Sequence, residues 1–385
     1  MLALAGSIGL TSCSDSAADS VDYAVDGTLI SYNTNTVAGA ASGGPQAFAR
    51  VLTGFNYHGP EGQIVGDRDF GNISVVGRTP LVLDYEIKPS AVYSDGKPIT
   101  CDDMVLAWAS QSGRFARFDA ANRAGYADIA NIDCAPGQQK ARVSFAQDRP
   151  FTDYGQLFAA TSMMPSHVIA DVLGLGEGGV TTALLKNDGP IVERIAQVWN
   201  NTWNLTPGLD VKRFPSSGPY KLDSVTAEGA VVLVANDKWW GTKPVTAKVT
   251  VWPRSSGMQD RVNEGAYDVV DIATGSLGTL NLPEDYIRTD SPSAGVEQLI
   301  FAPAGPLAPV PARRALALCT PRDVIARNAN VPIFNSRLNP ATEDAYGVAE
   351  TTPEAGQFAV ANIEAARAAL DGQPLTVRIG YQTPN

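Results

Sequence analysis

Apolar and polar positions alternate most regularly over residues 81–88. Leu81, Leu83, Tyr85 and Ile87 share one parity and Val82, Asp84, Glu86 and Lys88 the other, which predicts a strand with one buried face. Ser94-Asp95-Gly96 then supplies a turn. Thr100 stands three residues before Asp103, a capping-box spacing that predicts a helix with Cys101 at its first position and Met104, Val105, Ala107 and Trp108 following. Further along, residues 140–146 read as a strand. Residues 163–174 read as a helix with Pro165 at its N-terminal end. Residues 189–203 read as a helix with Ile191, Ile195, Val198 and Trp199 on one face. Tyr220-Lys221-Leu222 is expected to pair with residues 230–236 across a turn at Ala227-Glu228-Gly229, and residues 247–253 add another strand. Nearer the start, Thr28 to Tyr32 reads as a strand, and an amphipathic helix is expected to end near Gly54. Near the end, Ile363, Ala366 and Leu370 are in helical register, Gly372 is a stop, and residues 375–381 read as a strand.

Composition narrows the class. At 385 residues the chain exceeds what one core usually supports, so two or three lobes are expected. With 44% hydrophobic and 18% charged residues it is an ordered globular chain. A net charge of −11 gives no basic field, so nucleic acid is not an expected partner. The opening "MLALAGSIGLTSC" is a short apolar run that stops at Leu10-Thr11-Ser12-Cys13, followed by polar "SDSAADS". This is the pattern of a lipoprotein leader with lipidation at Cys13, so residues 1–13 are expected to be signal and lipobox and residues 14–21 a tether. The folded part is then extracytoplasmic and held at the cell membrane by lipid.

An exported chain changes how its other cysteines read. Cys101 and Cys134 are expected to form a disulfide. Cys319 is left over, either as a buried hydrophobe or with a partner outside this sequence. The chain has only two histidines, His58 and His167, and no paired ligand spacing, so no metal site or cofactor is expected. His167 reads as a packing or capping residue. No G-x-S-x-G, P-loop or H-E-x-x-H occurs, and Asp102-Asp103 sits where a helix start favours negative charge. These readings point away from an enzyme. Trp239 and Trp240, at the exit of a strand, read as packing.

Several motifs in order carry a resemblance. "YEIKPSAVYSDGKPITCDDMVLAW", "MPSHV", "SSGPYKL" followed by "VLVANDKWWGTKP", "MQDRVNEGAYDVVDI" and "PVPARRALALCTPRDVIAR" together resemble the family 5 extracellular solute-binding proteins, the peptide and nickel binders of ABC importers. The resemblance implies an α/β, two-lobed fold of the periplasmic-binding-protein type, with residues 22–48 and 209–275 in lobe I, an inserted α/β subdomain at 49–208, and lobe II from 276 to 385. The fold is expected to continue beyond residue 385. It further implies a monomeric, lipid-anchored binding protein that captures oligopeptides by hinge closure and delivers them to an ABC permease. Strand-end residues Tyr32, Asn33, Asn35, Thr274, Ser276 and Phe301 are the candidates for ligand contact. LpqW-like envelope lipoproteins share this fold and offer a second reading, a regulator or scaffold in phosphatidylinositol mannoside and lipoarabinomannan assembly.

Overall fold

A computed structural model of the chain describes residues 19–59, 63–272, 280–284, 286–289, 299, 301–329, 333, 357, 358 and 360–380. The chain divides into two compact units, the first built from residues up to 57 and from 66 to 272, the second from 58–65 and the described residues beyond 279.

The first unit contains two sheets over one continuous hydrophobic core that runs from Val25 to Val251. The first sheet is built from β1 (Ser20–Val25), β8 (Tyr220–Val225), β9 (Val231–Ala235), β10 (Lys248–Trp252) and β11 (Val269–Asp271), in the order β11-β1-β10-β9-β8. β1 lies between β10 and β11 and runs parallel to both. β9 is antiparallel to β10 and β8. The second sheet lies inside the expected insertion and is antiparallel throughout. It comprises β4 (Gly71–Arg78), β5 (Leu81–Ile87), β6 (Ile129–Asp133) and β7 (Lys140–Phe145), ordered β4-β5-β7-β6. A two-stranded pair, β2 (Asn56–His58) and β3 (Ile64–Gly66), precedes it. The core of this sheet is continuous with residues on either side of it, Val25, Tyr32 and Phe48 before it and Phe214 to Val251 after it.

β5 follows its alternation. Leu81, Leu83, Tyr85 and Ile87 are buried, and Asp84 on the other face meets Arg142 of β7 in register through two hydrogen bonds of 2.6 and 2.8 Å. Helix α1 (Val37–Ala40) and helix α2 (Gly44–Ala47) are single turns, so the helix expected to reach Gly54 is one turn long. Helix α3 (Cys101–Gln111) starts at the expected residue, and every one of its residues is buried. α3 packs against α4 (Ser166–Leu173) and α5 (Gly179–Lys186), while α6 (Gly189–Asn201) packs against α4 and α5. The buried face of α6 is Val192, Ile195, Ala196 and Trp199, a slight rotation from the expected stripe because Ile191 and Val198 remain half-buried. Between β10 and β11 lies α7 (Met258–Asn263).

The first expected strand is displaced. Residues 28–30 take no strand, and the sheet uses Ser20–Val25 instead, so the strand begins inside the segment expected to be a tether. Hydrogen bonding explains the choice. Ser20–Val25 finds parallel partners on both sides, whereas the 28–32 backbone is held by the segment just after α6, with Tyr32 N–H donating to Trp203 O at 2.9 Å and Leu205 N–H to Ile30 O at 2.9 Å.

The β8–β9 hairpin closes the first sheet onto the segment after α2. Ser217 and Gly218 N–H both donate to Val51 O, at 3.0 and 2.8 Å, and Asn236 Nδ2 donates to Gly218 O at 2.8 Å. Trp240 Nε1 donates to Asp69 O at 3.1 Å and its ring packs toward Phe70, so the tryptophan pair is packing. A Cβ on Gly218 would run into the Arg50 carbonyl. Gly218→Ala is therefore expected to destabilise the first unit by about 1–3 kcal/mol. Gly189→Ala, whose Cβ meets nothing within 4 Å, should stay within about 0.5 kcal/mol of wild type in the same urea titration.

In the second unit, the "PVPARRALALCTPRDVIAR" segment forms two helices, α8 (Val310–Cys319) and α9 (Arg322–Ala329). The break falls at Thr320-Pro321, where proline cannot continue the backbone ladder. α10 (Ile363–Ala369) packs on α8 through Ala315, Leu318 and Ala366. Cys319 is a half-buried free thiol whose Sγ donates to Leu316 O at 3.3 Å. Residues 373–380 form no strand, and Tyr381 lies outside the described residues.

Candidate functional site

Three parallel strands, β10, β1 and β11, end at the same edge of the first sheet. In open α/β sheets, ligands bind outside the carboxyl ends of such strands. The residues that follow are chemically distinctive. Asp26, just after β1, forms an ion pair with Arg254, just after β10, and both side chains are largely buried. Arg254 N–H also donates to Gly27 O at 3.0 Å, so the pair ties the two strand ends together. Asp271 ends β11 and accepts the Tyr23 hydroxyl at 2.7 Å. Burial and this carboxylate push the Tyr23 phenol well above its ordinary value.

The loop leaving β1 lies low because of glycine. A Cβ on Gly27 would come within 2.8 Å of Gly43 N, and Gly43 N–H donates to Thr28 O at 2.9 Å. The loop then reaches the three candidates at 32, 33 and 35. Tyr32 is 0% exposed. Its hydroxyl donates to Pro215 O at 3.0 Å and lies 3.1 Å from Ser216 Oγ, and burial raises its phenol far above the usual range. Asn33 is 1% exposed and donates through Nδ2 to Trp199 O at 3.1 Å, while its Oδ1 accepts Asn35 N–H at 3.2 Å. Neither Tyr32 nor Asn33 presents surface to a ligand. They shape the loop from inside, which corrects the expectation of a contact role for both. Asn35 is half-buried and alone of the three reaches the surface. Phe301, in the second unit, is half-buried. Thr274, Ser276 and Cys13 lie outside the described residues.

Asp26, Arg254 and Asp271 escaped sequence reasoning. The signal was present, since each is a charged residue within two positions of the end of an apolar strand.

Two of the sequence motifs clasp each other. Asp95 of the "DGKP" turn accepts Lys97 N–H at 3.0 Å, and its Oδ2 lies 2.9 Å from His167 Nε2. Burial alone would raise the Asp95 carboxyl, but His167 and the backbone donors outweigh it and hold the carboxyl below its ordinary value. Asp103 of the same motif is fully buried and accepts Ser166 N–H at 2.8 Å, Ser166 Oγ at 2.7 Å and Thr100 N–H at 3.1 Å. Burial raises its pKa despite these donors. Asp102 beside it accepts Thr100 Oγ1 at 2.8 Å, Gly137 N–H at 2.7 Å and the Thr181 hydroxyl. These carboxylates are structural, as is His167. The Cys101–Cys134 disulfide is formed, with Cα atoms 5.7 Å apart. Among the described residues no cluster of His, Cys, Asp and Glu could hold a metal ion, and no helix is long and apolar enough to cross a membrane.

Comparison with known proteins follows this geometry. The profile of the bacterial extracellular solute-binding proteins, family 5, matches residues 79–378. An uncharacterized lipoprotein of Mycobacterium tuberculosis is 64% identical over 380 residues, covering 98% of this chain and 68% of that protein. The oligopeptide-binding protein OppA of the same species is 28% identical over 320 residues, 77% of this chain and 48% of its own length. The probable monoacyl phosphatidylinositol tetramannoside-binding protein LpqW of M. tuberculosis is 24% identical over 212 residues, 54% of this chain and 28% of LpqW. Among solved structures, the periplasmic EDTA-binding protein EppA superposes with a TM-score of 0.62 at 20% identity. Oligopeptide-binding AppA of Bacillus subtilis, in complex with a nonapeptide, superposes at 0.60 and 15% identity. Each superposition covers 91% of this chain and 63% of the other, so this chain spans under two thirds of their length. Their ligands differ widely, so the likeness establishes the two-lobed fold and leaves the ligand open.

Proposed function

The chain belongs to the family 5 bacterial extracellular solute-binding proteins, and from that membership we propose that it captures oligopeptides outside the cell membrane and passes them to an ABC permease. It is a solute-binding protein and not an enzyme. The observation that carries the peptide reading is the extent of the OppA likeness, 28% identity over 320 residues against 24% over 212 for LpqW. The carboxyl edge of β10, β1 and β11 supports it. Asp26 and Arg254 there are already paired with each other, Asp271 accepts the Tyr23 hydroxyl, and the loop leaving β1 offers a neutral polar group, the half-buried Asn35. Neutral amides suit a ligand recognised by its main chain whatever its side chains. Lipidation at Cys13 and a monomeric state complete the proposal, the first supported by the lipoprotein relatives.

Native mass spectrometry of the whole protein purified from its own envelope, followed by denaturation and identification of what is released, tests the reading. Release of short peptides is the expected result. Release of a mannolipid, or an empty protein that ignores an added peptide pool, overturns it and favours a role in envelope assembly of the LpqW kind.

A further inference from the structure

Two non-glycine residues in one loop of the first unit take left-handed backbone, Phe158 at φ 51° and Thr161 at φ 70°. For a bulky or β-branched residue this costs roughly 1–3 kcal/mol each and persists only where neighbours enforce it. Here they do. Phe55 N–H donates to Phe158 O at 2.9 Å, Ala160 N–H to Asn56 O at 2.7 Å and Thr161 N–H to Leu52 O at 3.2 Å. Gly54 lacks the Cβ that would collide with the Ala159 backbone.

What the strain produces is an orientation. The successive carbonyls of Thr161 and Ser162 each take the NH₂ of a different side-chain amide, Asn35 Nδ2 at 2.9 Å and Gln111 Nε2 at 3.1 Å. An amide is planar, so anchoring its nitrogen also fixes its oxygen. Asn35 is anchored a second time, since Nδ2 reaches Asn33 Oδ1 at 3.1 Å. Gln111 is the last residue of α3 and only 5% exposed. Among the described residues no donor meets Asn35 Oδ1 or Gln111 Oε1. Among the described residues, the buried side-chain atoms without a partner are Asn56 Nδ2, Tyr85 Oη, Trp108 Nε1 and Trp199 Nε1. Neither amide oxygen is among them; Asn35 is half-buried and Gln111 keeps 5% of its surface exposed.

We propose that Asn35 and Gln111 form a paired acceptor site for ligand N–H groups, with the left-handed Thr161 turn holding both oxygens in place. The inference rests on the peptide reading above and deepens it. Two neutral oxygens fixed before binding would accept main-chain N–H groups of a peptide without regard to its side chains, and at little ordering cost.

The test measures binding of a defined pool of short synthetic peptides to the whole protein stripped of ligand, in wild type, Gln111→Leu and Thr161→Gly. Gln111→Leu is expected to weaken binding about tenfold, the loss of one good hydrogen bond. Thr161→Gly should weaken it by a comparable factor while Tm holds or rises, because glycine releases the strain. Affinity and Tm moving in opposite directions is a result that a merely structural tie would not give. Unchanged affinity in both variants, or a loss that tracks a falling Tm in both, overturns the paired-acceptor site while leaving the peptide reading standing. A wild-type protein that takes up none of the pool overturns both.

Discussion

Asp103→Ala is expected to destabilise the first unit by about 3–5 kcal/mol, because it leaves two buried backbone donors without an acceptor. Asp103 is fully buried and serves Thr100 N–H at the start of α3 and Ser166 N–H and Oγ at the start of α4. The substitution therefore uncaps one helix and detaches another. Urea unfolding followed by circular dichroism checks this, and a change below about 1 kcal/mol would contradict the assigned role. Acid titration separates Asp103 from its neighbour Asp95. The folded pKa of Asp103 is raised, so from the unfolded value near about 4 up to the folded one the native state holds the proton more tightly. Its contribution to stability thus falls as pH rises through that window, and Asp103→Asn should abolish the fall. For Asp95, held below its ordinary value, the sign reverses. Its stabilisation is present above the unfolded pKa and lost as pH falls through the folded value, and Asp95→Asn should remove that loss.

Removing the disulfide by the double substitution Cys101→Ala and Cys134→Ala is expected to cost about 3–4 kcal/mol. The bridge closes a loop with a sequence separation of 33, and the entropy it withholds from the unfolded chain grows slowly with loop length. Native contacts around it are already dense. Cys101 N–H donates to Gln138 O at 2.7 Å, and Gly137 N–H reaches Asp102 at 2.7 Å. The doubly substituted protein should accordingly keep the native near-ultraviolet spectrum while its urea midpoint falls. A protein that loses the spectrum altogether would show that the bridge defines the native packing as well as limiting the unfolded chain.

Local chemistry was the legible part of the chain. The capping box at Thr100 and Asp103, the period-two run of β5 and the turn before β9 all act within a few residues, so their consequences could be read in place. β1 was misplaced for the opposite reason. "LISY" is more apolar than "SVDYAV", but a strand forms where partners exist, and β10 and β11 are remote in sequence. The site divided along the same line. That a loop follows β1 and carries Asn33 and Asn35 was visible, whereas the burial of Tyr32 and Asn33 depends on Trp199, Trp203, Pro215 and Ser216 arriving from elsewhere. Gln111 offered no signal, since a glutamine at a helix end is ordinary until Thr161 and Ser162 turn their carbonyls toward the amides.

The place of β1 between β10 and β11 bears on the order in which the molecule can be made. Trp252 Nε1 donates to Asp22 across 230 residues, and Asp22 N–H donates to Asp268 across 246. The first strand among the described residues is therefore paired last. The sheet of β4 to β7 is complete once residue 145 has emerged, whereas β1 stays unpaired until residues 248–252 have been made and so carries the slow, non-local closure step. The first sheet is thus joined only after segments more than 200 residues apart have both been made, long after the β4–β7 sheet can close on itself.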